Sequence, residues 1–480
     1  MYTPLLPRKA GDSMSLQGDR QAIHDWLEEN QSAFGGTLYD IRQVLVNNTE
    51  THWLEYVPAS YVPEKPMPLV LCMYAGGQDC YGQFYDTAWY MVAEQAGLIV
   101  VWPEAVNPGV WDISRDGLPD PENHDLQMIP ALIENLKARY AIDPARIYMQ
   151  GMSMGDLMSM QCGRALGNLL AGIGCCSGPT DPDLLYRPDG TLQYNTGALP
   201  VYQSRGVFDT IATNPRYSRA EINTQNRNFW RALNGCTVLP EIRTSAAEIC
   251  VRYPGEAADL FYRNMVRHGH YQAVDDAWNC WELVFSRYRR DANGALQCTA
   301  DPVFEPDRDA TALADGSSRA LVGGKLTAVG GTVHVKADPV LGPAPGKKPG
   351  EPDTEPATAE PFAPASEPET AGIYTFVPVV FLQAAFGAEV TVNGETAEIR
   401  LAGKTIRIAK GCLGALTDGR LLDMGKEPEM LDGQLYVPIN FFAESILNRT
   451  CGEKDGAVYI KDGPFTVTGD FANILKEILC

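Results

Sequence analysis

Ala145-Arg-Ile-Tyr-Met-Gln-Gly-Met-Ser-Met-Gly155 decides how this chain folds. Residues 145–150 are a short apolar run of strand character, and Gly151-Met-Ser-Met-Gly155 follows without a break. Met154, Leu157, Met158, Cys162 and Ala165 then recur at helical spacing. A strand that turns sharply into a helix with a serine at the turn is a nucleophile elbow, which lifts the Ser153 hydroxyl clear of the sheet. Gly151 and Gly155 have a steric task there, because a Cβ two residues either side of Ser153 would press on the turn or the neighbouring strand.

An elbow of this kind needs an acid and then a histidine downstream, on loops that follow later strands. Leu199-Pro-Val-Tyr-Gln-Ser204 reads as a strand, and Gly206-Val-Phe-Asp209 leaves it through a turn, which makes Asp209 the first choice of acid. Asp181, Asp183 and Asp189 lie in a Pro/Gly/Asp-rich loop with no strand ahead of them and rank below it. Leu260-Phe-Tyr-Arg-Asn-Met-Val266 reads as the last strand of this region, with Arg267-His-Gly-His270 beyond it. Two of the six histidines fall in that loop. His270 is the first choice of general base and His268 the second; a metal site at the pair would need further ligands that the sequence does not supply. A helix is expected next, with Ala277, Trp278, Trp281, Val284, Phe285 and Tyr288 facing the core. For the negative charge on a substrate carbonyl, Pro68-Leu-Val-Leu-Cys-Met73 reads as a buried strand, and Tyr74-Ala-Gly-Gly77 follows it. The backbone amides of Gly76 and Met154 are the candidate oxyanion donors.

Tyr56-Val-Pro58, the stretch from Ile142 to Gly155 and Phe229-Trp-Arg-Ala-Leu-Asn-Gly-Cys236 together resemble the polyhydroxybutyrate depolymerase and feruloyl or acetylxylan esterase group of α/β-hydrolases, over residues 37 to 291. The resemblance implies an α/β fold, a mostly parallel sheet flanked by helices. It also implies a serine esterase with Ser153 as nucleophile, Asp209 as orienting acid, His270 as base and the Gly76 and Met154 amides as oxyanion donors. The reaction would be acyl transfer through an acyl-enzyme, with no metal or organic cofactor. Substrates implied are feruloyl or acetyl esters of polysaccharide, with a polyhydroxyalkanoate-type polyester as the alternative. Three positions depart from the group's pattern: Tyr74-Ala75 for His-Gly, Asp156 where a small residue is usual, and Arg205 where a histidine precedes Gly206. These departures sustain a competing reading, a catalytically silent glycan- or wall-binding protein on the same scaffold.

At 480 residues, 45% of them hydrophobic, the chain has room for two or three domains. The expected organisation is an N-terminal extension over 1–36, the hydrolase domain over 37–295 and a smaller α+β, hairpin-rich domain over 318–480. Residues 339–371 interrupt the last of these with nine prolines and five glutamates, the composition of an extended linker. Glu389 to Leu401 alternates apolar and polar residues around Asn393-Gly394, a two-residue hairpin signal. Phe376-Val-Pro-Val-Val-Phe381 returns as Tyr436-Val-Pro-Ile-Asn-Phe441. With Arg319-Ala-Leu-Val-Gly-Gly-Lys-Leu326 and Gly331-Thr-Val-His-Val335, these features resemble the stalk domain named after the N-terminal region of copper amine oxidases. Copper does not follow from the name, because His334 is the single histidine from residue 318 onward. The resemblance implies a spacer, or contact with cell wall or glycan.

A net charge of −21 argues against nucleic acid as a partner. No apolar run approaches the roughly 20 residues of a membrane span. The stalk-like domain points to an extracellular or cell-surface location, whereas the N-terminal residues lack the apolar core of a signal peptide, which points to the cytoplasm or to a start codon placed downstream of the true one. Twelve thinly spread cysteines without a CxxC form neither a disulfide framework nor a zinc motif, and Cys175-Cys176 reads as packing beside the sheet. Trp89, Trp102 and Trp111 are candidates for an aromatic pocket or for the core.

Overall fold

A computed structural model describes residues 35–114, 120, 122–337 and 372–480. The chain divides into two units, the first ending at Asp307 and the second beginning at Arg308. Most of the expected N-terminal extension and all of the Pro-rich stretch lie outside the described residues.

The first unit is built on one ten-stranded sheet. Its strands are β1 (Thr37–Val46), β2 (Thr49–Val57), β3 (Met67–Met73), β4 (Ile99–Pro103), β5 (Ile142–Met152), β6 (Gly172–Cys176), β7 (Val201–Gly206), β8 (Glu241–Thr244), β9 (Glu248–Tyr253) and β10 (Leu260–Met265). Their order across the sheet is β1-β2-β4-β3-β5-β6-β7-β10-β9-β8. The strands from β4 to β10 in that order run parallel, and antiparallel strands close both edges. This is an α/β-hydrolase sheet extended at one edge by the β8–β9 hairpin. The central strands are continuous apolar runs because helices cover both faces: every residue of β3 and β4 is buried. Each such Val, Leu or Ile contributes on the order of 1.5–3 kcal/mol over an exposed one.

The helices that bear on the site are α1 (Cys80–Asp86), α2 (Trp89–Ala96), α3 (His124–Arg139), α4 (Met154–Leu166), α5 (Pro182–Leu185), α6 (Arg219–Asn234) and α7 (Asp276–Leu283). In α7, Ala277, Cys280 and Leu283 face the core, while Trp278 is 39% exposed. Of the residues expected to face inward, Ala277, Val284, Phe285 and Tyr288 are buried and Trp281 packs against the core, whereas Trp278 turns outward. Trp89, Trp102 and Trp111 are all buried, and each indole N–H is satisfied internally, by Gln150 Oε1, Thr87 Oγ1 and the Tyr74 carbonyl. They belong to the core and do not form a pocket wall. Cys175 and Cys176 are buried in β6, and all twelve cysteines are free.

The second unit has its own core, from Leu313 to Ile460, formed by three small antiparallel sheets. It begins ahead of residue 318, because Thr311–Ala314 pairs with Ala457–Lys461 and joins the two ends of the unit. Ala337 pairs with Ile373, so the strands that precede and follow the Pro-rich stretch are neighbours in one sheet. The two copies of the sequence repeat lie side by side, Phe376 opposite Pro438, Val377 opposite Val437 and Pro378 opposite Tyr436. The hairpin at Asn393 forms with its loop one residue later than the sequence suggests. Asn393 pairs with Thr396, and Gly394, at φ 60°, opens the loop, as a turn with glycine at its first position requires.

Candidate active site

Ser153 stands between β5 and α4 with φ 54° and ψ −115°, a conformation that costs a non-glycine residue on the order of 1–3 kcal/mol. Its surroundings over-determine it. The Ser153 amide donates to the Cys176 carbonyl at 2.8 Å, tying the turn to the end of β6. A Cβ built on Gly151 would overlap the Gly155 carbonyl, and one on Gly155 would overlap the Met73 carbonyl. Gly178, which the sequence reading did not single out, is as tightly placed: a Cβ there would overlap the Ser153 carbonyl.

The three loops expected to converge do so. Ser153 Oγ lies 2.8 Å from His270 Nε2. His270 Nδ1 lies 3.1 Å from Asp209 Oδ1, close enough for an ion pair though off the line of a well-directed hydrogen bond. Such contacts tighten when substrate is bound. Asp209 is buried, which opposes its ionisation. The neighbouring His270, the Arg219 guanidinium 3.6 Å from Oδ2 and the Ile211 amide at 3.1 Å outweigh that and hold the carboxyl below the usual carboxylate range. Burial instead depresses the pKa of His268, whose ring N–H donates to the Tyr271 carbonyl at 2.8 Å and packs on the Tyr271 ring. Asp181, Asp183 and Asp189 are committed elsewhere, capping α5, meeting Arg216 and Tyr217, and closing the turn at Thr191.

Two oxyanion candidates flank the serine. Met154 is the first residue of α4, and a Cβ built on Gly76 would lie 3.3 Å from Met154 Sδ, so Gly76 lies against the Met154 side chain. Tyr74, in the place of the usual histidine, is buried. Its hydroxyl accepts from the amides of Ala105 and Gly109, and its carbonyl accepts from Trp111. Gly77 in turn donates to the Gly109 carbonyl at 2.7 Å. The tyrosine thereby fixes the loop that carries Gly76.

The other two departures meet each other. Asp156 Oδ2 and Arg205 Nη1 form an ion pair at 3.0 Å, both side chains buried. Asp156 Oδ2 also accepts from the Gly178 amide at 2.8 Å, and Arg205 donates to the carbonyls of Cys175 and Ser204. Burial lifts the Asp156 carboxyl to about 6 despite the arginine. One sequence oddity thus answers the other, and the pair ties α4, the loop after β6 and the end of β7 together beneath the serine. A further support absent from the sequence reading lies behind the histidine loop. Gln272 exchanges hydrogen bonds with Gln150 of β5, which also accepts from Trp89. No residue spacing announces these contacts, because Gln150 lies 122 residues from Gln272 and 61 from Trp89.

Residues 359–460 match the family described as copper amine oxidase N-terminal domain. Among curated proteins, the bifunctional acetylxylan esterase/xylanase of Neocallimastix patriciarum is 30% identical over 125 residues, covering 26% of this chain and 17% of that protein. The poly(3-hydroxybutyrate) depolymerase of Ralstonia pickettii is 29% identical over 174 residues, covering 33% of each. This chain therefore spans a third or less of the length of these two relatives. Among solved structures, an acetyl xylan esterase from Aspergillus awamori aligns with 51% of this chain and 98% of its own, at 16% identity and a TM-score of 0.39.

Proposed function

We propose that this protein is a serine carboxylic-ester hydrolase working through Ser153, His270 and Asp209. The observation that carries the reading is the 2.8 Å approach of Ser153 Oγ to His270 Nε2 at a strained elbow, with the Asp209 carboxylate on the far side of the ring. With the imidazole proton on Nδ1, facing Asp209, Nε2 accepts from the serine hydroxyl. Ser153 Oγ attacks the ester carbonyl as His270 takes its proton, and the amides of Gly76 and Met154 receive the developing oxyanion. His270 then protonates the departing alcohol, and water, deprotonated by the same imidazole, releases the acid from Ser153. Asp209 holds the ring in its tautomer and stabilises the imidazolium. No cofactor enters these steps.

We assign the substrate as a feruloyl or acetyl ester of polysaccharide. Val207, Phe208 and Ile211 around Asp209 and Tyr271 beside His270 are exposed apolar side chains, Phe208 at 67%. They suit an acyl group with an apolar or aromatic face, which a polyester chain also offers. Nitrophenyl acetate, methyl ferulate, acetylated xylan and poly(3-hydroxybutyrate), each offered to the protein and to Ser153→Ala, test both parts. Hydrolysis should fall by about 10³-fold or more in the variant, and the preferred ester separates the substrates. Activity equal in the two proteins would refute the serine mechanism, and inertness of both would favour a binding protein on this scaffold.

A further inference from the structure

On the other side of β3 from the β5 elbow, three residues distant in sequence come together: His52 of β2, Cys80 at the start of α1 and Glu104 just after β4. All three are buried. Their donor atoms lie within 4.8 Å of one another, with His52 Nδ1 3.8 Å from both Cys80 Sγ and Glu104 Oε2. Bonds of about 2.3 Å to sulfur and about 2.0–2.2 Å to nitrogen and oxygen place tetrahedral zinc ligands roughly 3.4–3.6 Å apart. The two spacings from His52 are a few tenths of an ångström wider than this, and the Cys80 and Glu104 donors lie within 4.8 Å of each other, so binding requires these side chains to draw together.

Two features beyond the cluster point the same way. The far ring nitrogen, His52 Nε2, meets Asp40 Oδ1 at 2.8 Å, and the Tyr81 hydroxyl donates to the other oxygen of that carboxylate. A carboxylate behind the histidine fixes the tautomer that leaves Nδ1 bare toward Cys80 and Glu104, the arrangement by which metal-bound histidines are oriented. Glu104 Oε2 accepts from the Cys80 amide at 3.2 Å, whereas Glu104 Oε1 is buried with no hydrogen-bond partner among the described residues. A buried carboxylate oxygen in that condition is costly unless something else satisfies it. The nearest cation is Arg42, whose Nη2 lies 3.5 Å from His52 Nδ1; its side chain is about half exposed and has Glu50 at 3.6 Å as a second partner, so it can withdraw.

We propose that His52, Cys80 and Glu104 bind a zinc ion, separately from the Ser153 site. A thiolate, an imidazole and a carboxylate form the mixed donor set that this ion accepts, with a fourth position open to water. Binding would displace the Cys80 thiol proton to solvent and join β2, β4 and the first residue of α1, four residues beyond Gly76. The proposal does not depend on the esterase reading.

The test uses the full chain, stripped with a chelator and titrated with zinc or cobalt(II). Roughly one equivalent should bind per chain, cobalt should give a thiolate-to-metal charge-transfer absorption, and zinc should raise Tm in a concentration-dependent way. Cys80→Ser should abolish the absorption. Asp40→Asn, which removes the carboxylate behind His52 and leaves the three ligands in place, should weaken zinc binding by about 10–100-fold. A Cys298→Ser, Cys412→Ser, Cys480→Ser variant, lacking the exposed thiols, should keep the absorption; this readout stands even if Cys80→Ser does not fold. No thiolate absorption, binding far below one equivalent, an absorption that survives in folded Cys80→Ser, or one that vanishes with the exposed thiols would each overturn the proposal.

Discussion

Asp156 and Arg205 are buried opposite charges with one direct contact between them, and each depends on the other. Removing one leaves an uncompensated charge in the core, at a cost of about 3–5 kcal/mol, whereas replacing both with apolar residues of similar size removes the penalty. Arg205→Met is therefore expected to lower the urea-unfolding free energy by that amount, and Asp156→Leu combined with Arg205→Met to recover most of it. A double variant as unstable as the sum of the two single ones would show that the residues do not act as a pair. Asp209 carries a pH dependence of defined sign. Its carboxyl is depressed in the folded chain, so it stabilises the fold above the unfolded value of about 3.9 and loses that contribution as pH falls through the lower folded value. Asp209→Asn should accordingly destabilise most near neutrality and progressively less toward about pH 3, read as converging urea midpoints of variant and parent.

Helix α6 shows how an element brings a charge to the site. Ser218 and Glu221 form a complete capping box, each side chain meeting the other residue's amide. The cap starts the helix at Arg219, whose guanidinium donates to the Gly206 carbonyl at 2.7 Å and faces Asp209. Ser218→Ala should cost about 1 kcal/mol of stability and loosen Arg219; ester hydrolysis should drop modestly beside that thermal shift. An unchanged Tm would mean that the cap contributes nothing. The elbow is the element most legible in the sequence, because strand, glycines and helix are all written within twenty residues. The α7 stripe was less legible. Trp278 fits the core by polarity alone, and only the packing of Ala277, Cys280 and Leu283 against the sheet fixes which face turns inward.

Across the whole chain, each unit encloses its own core: the cluster running from Leu54 to Phe304 belongs to the first and that from Leu313 to Ile460 to the second. Each core is self-contained enough to predict independent folding. On the proposed function, residues 35–307 expressed alone should fold and hydrolyse esters as the full chain does, while residues 308–480 should fold and show no such activity. Loss of activity from a folded 35–307 fragment would mean that the second unit takes part in catalysis. Among the described residues no helix is long and apolar enough to cross a membrane.

The sequence by itself determined what is local: the elbow around Ser153, the order of the candidate serine, acid and histidine, the return of the Phe376 motif at Tyr436, and the hairpin at Asn393 to within one residue. These depend on backbone sterics and short-range periodicity, which neighbouring residues specify. Tertiary structure decided what depends on residues far apart in the chain. It turned Tyr74 and the three tryptophans into core supports, joined Asp156 to Arg205 and gathered His52, Cys80 and Glu104. In each case the strand order of the sheet sets the neighbours, and burial at that position determines whether a polar side chain must find a partner there.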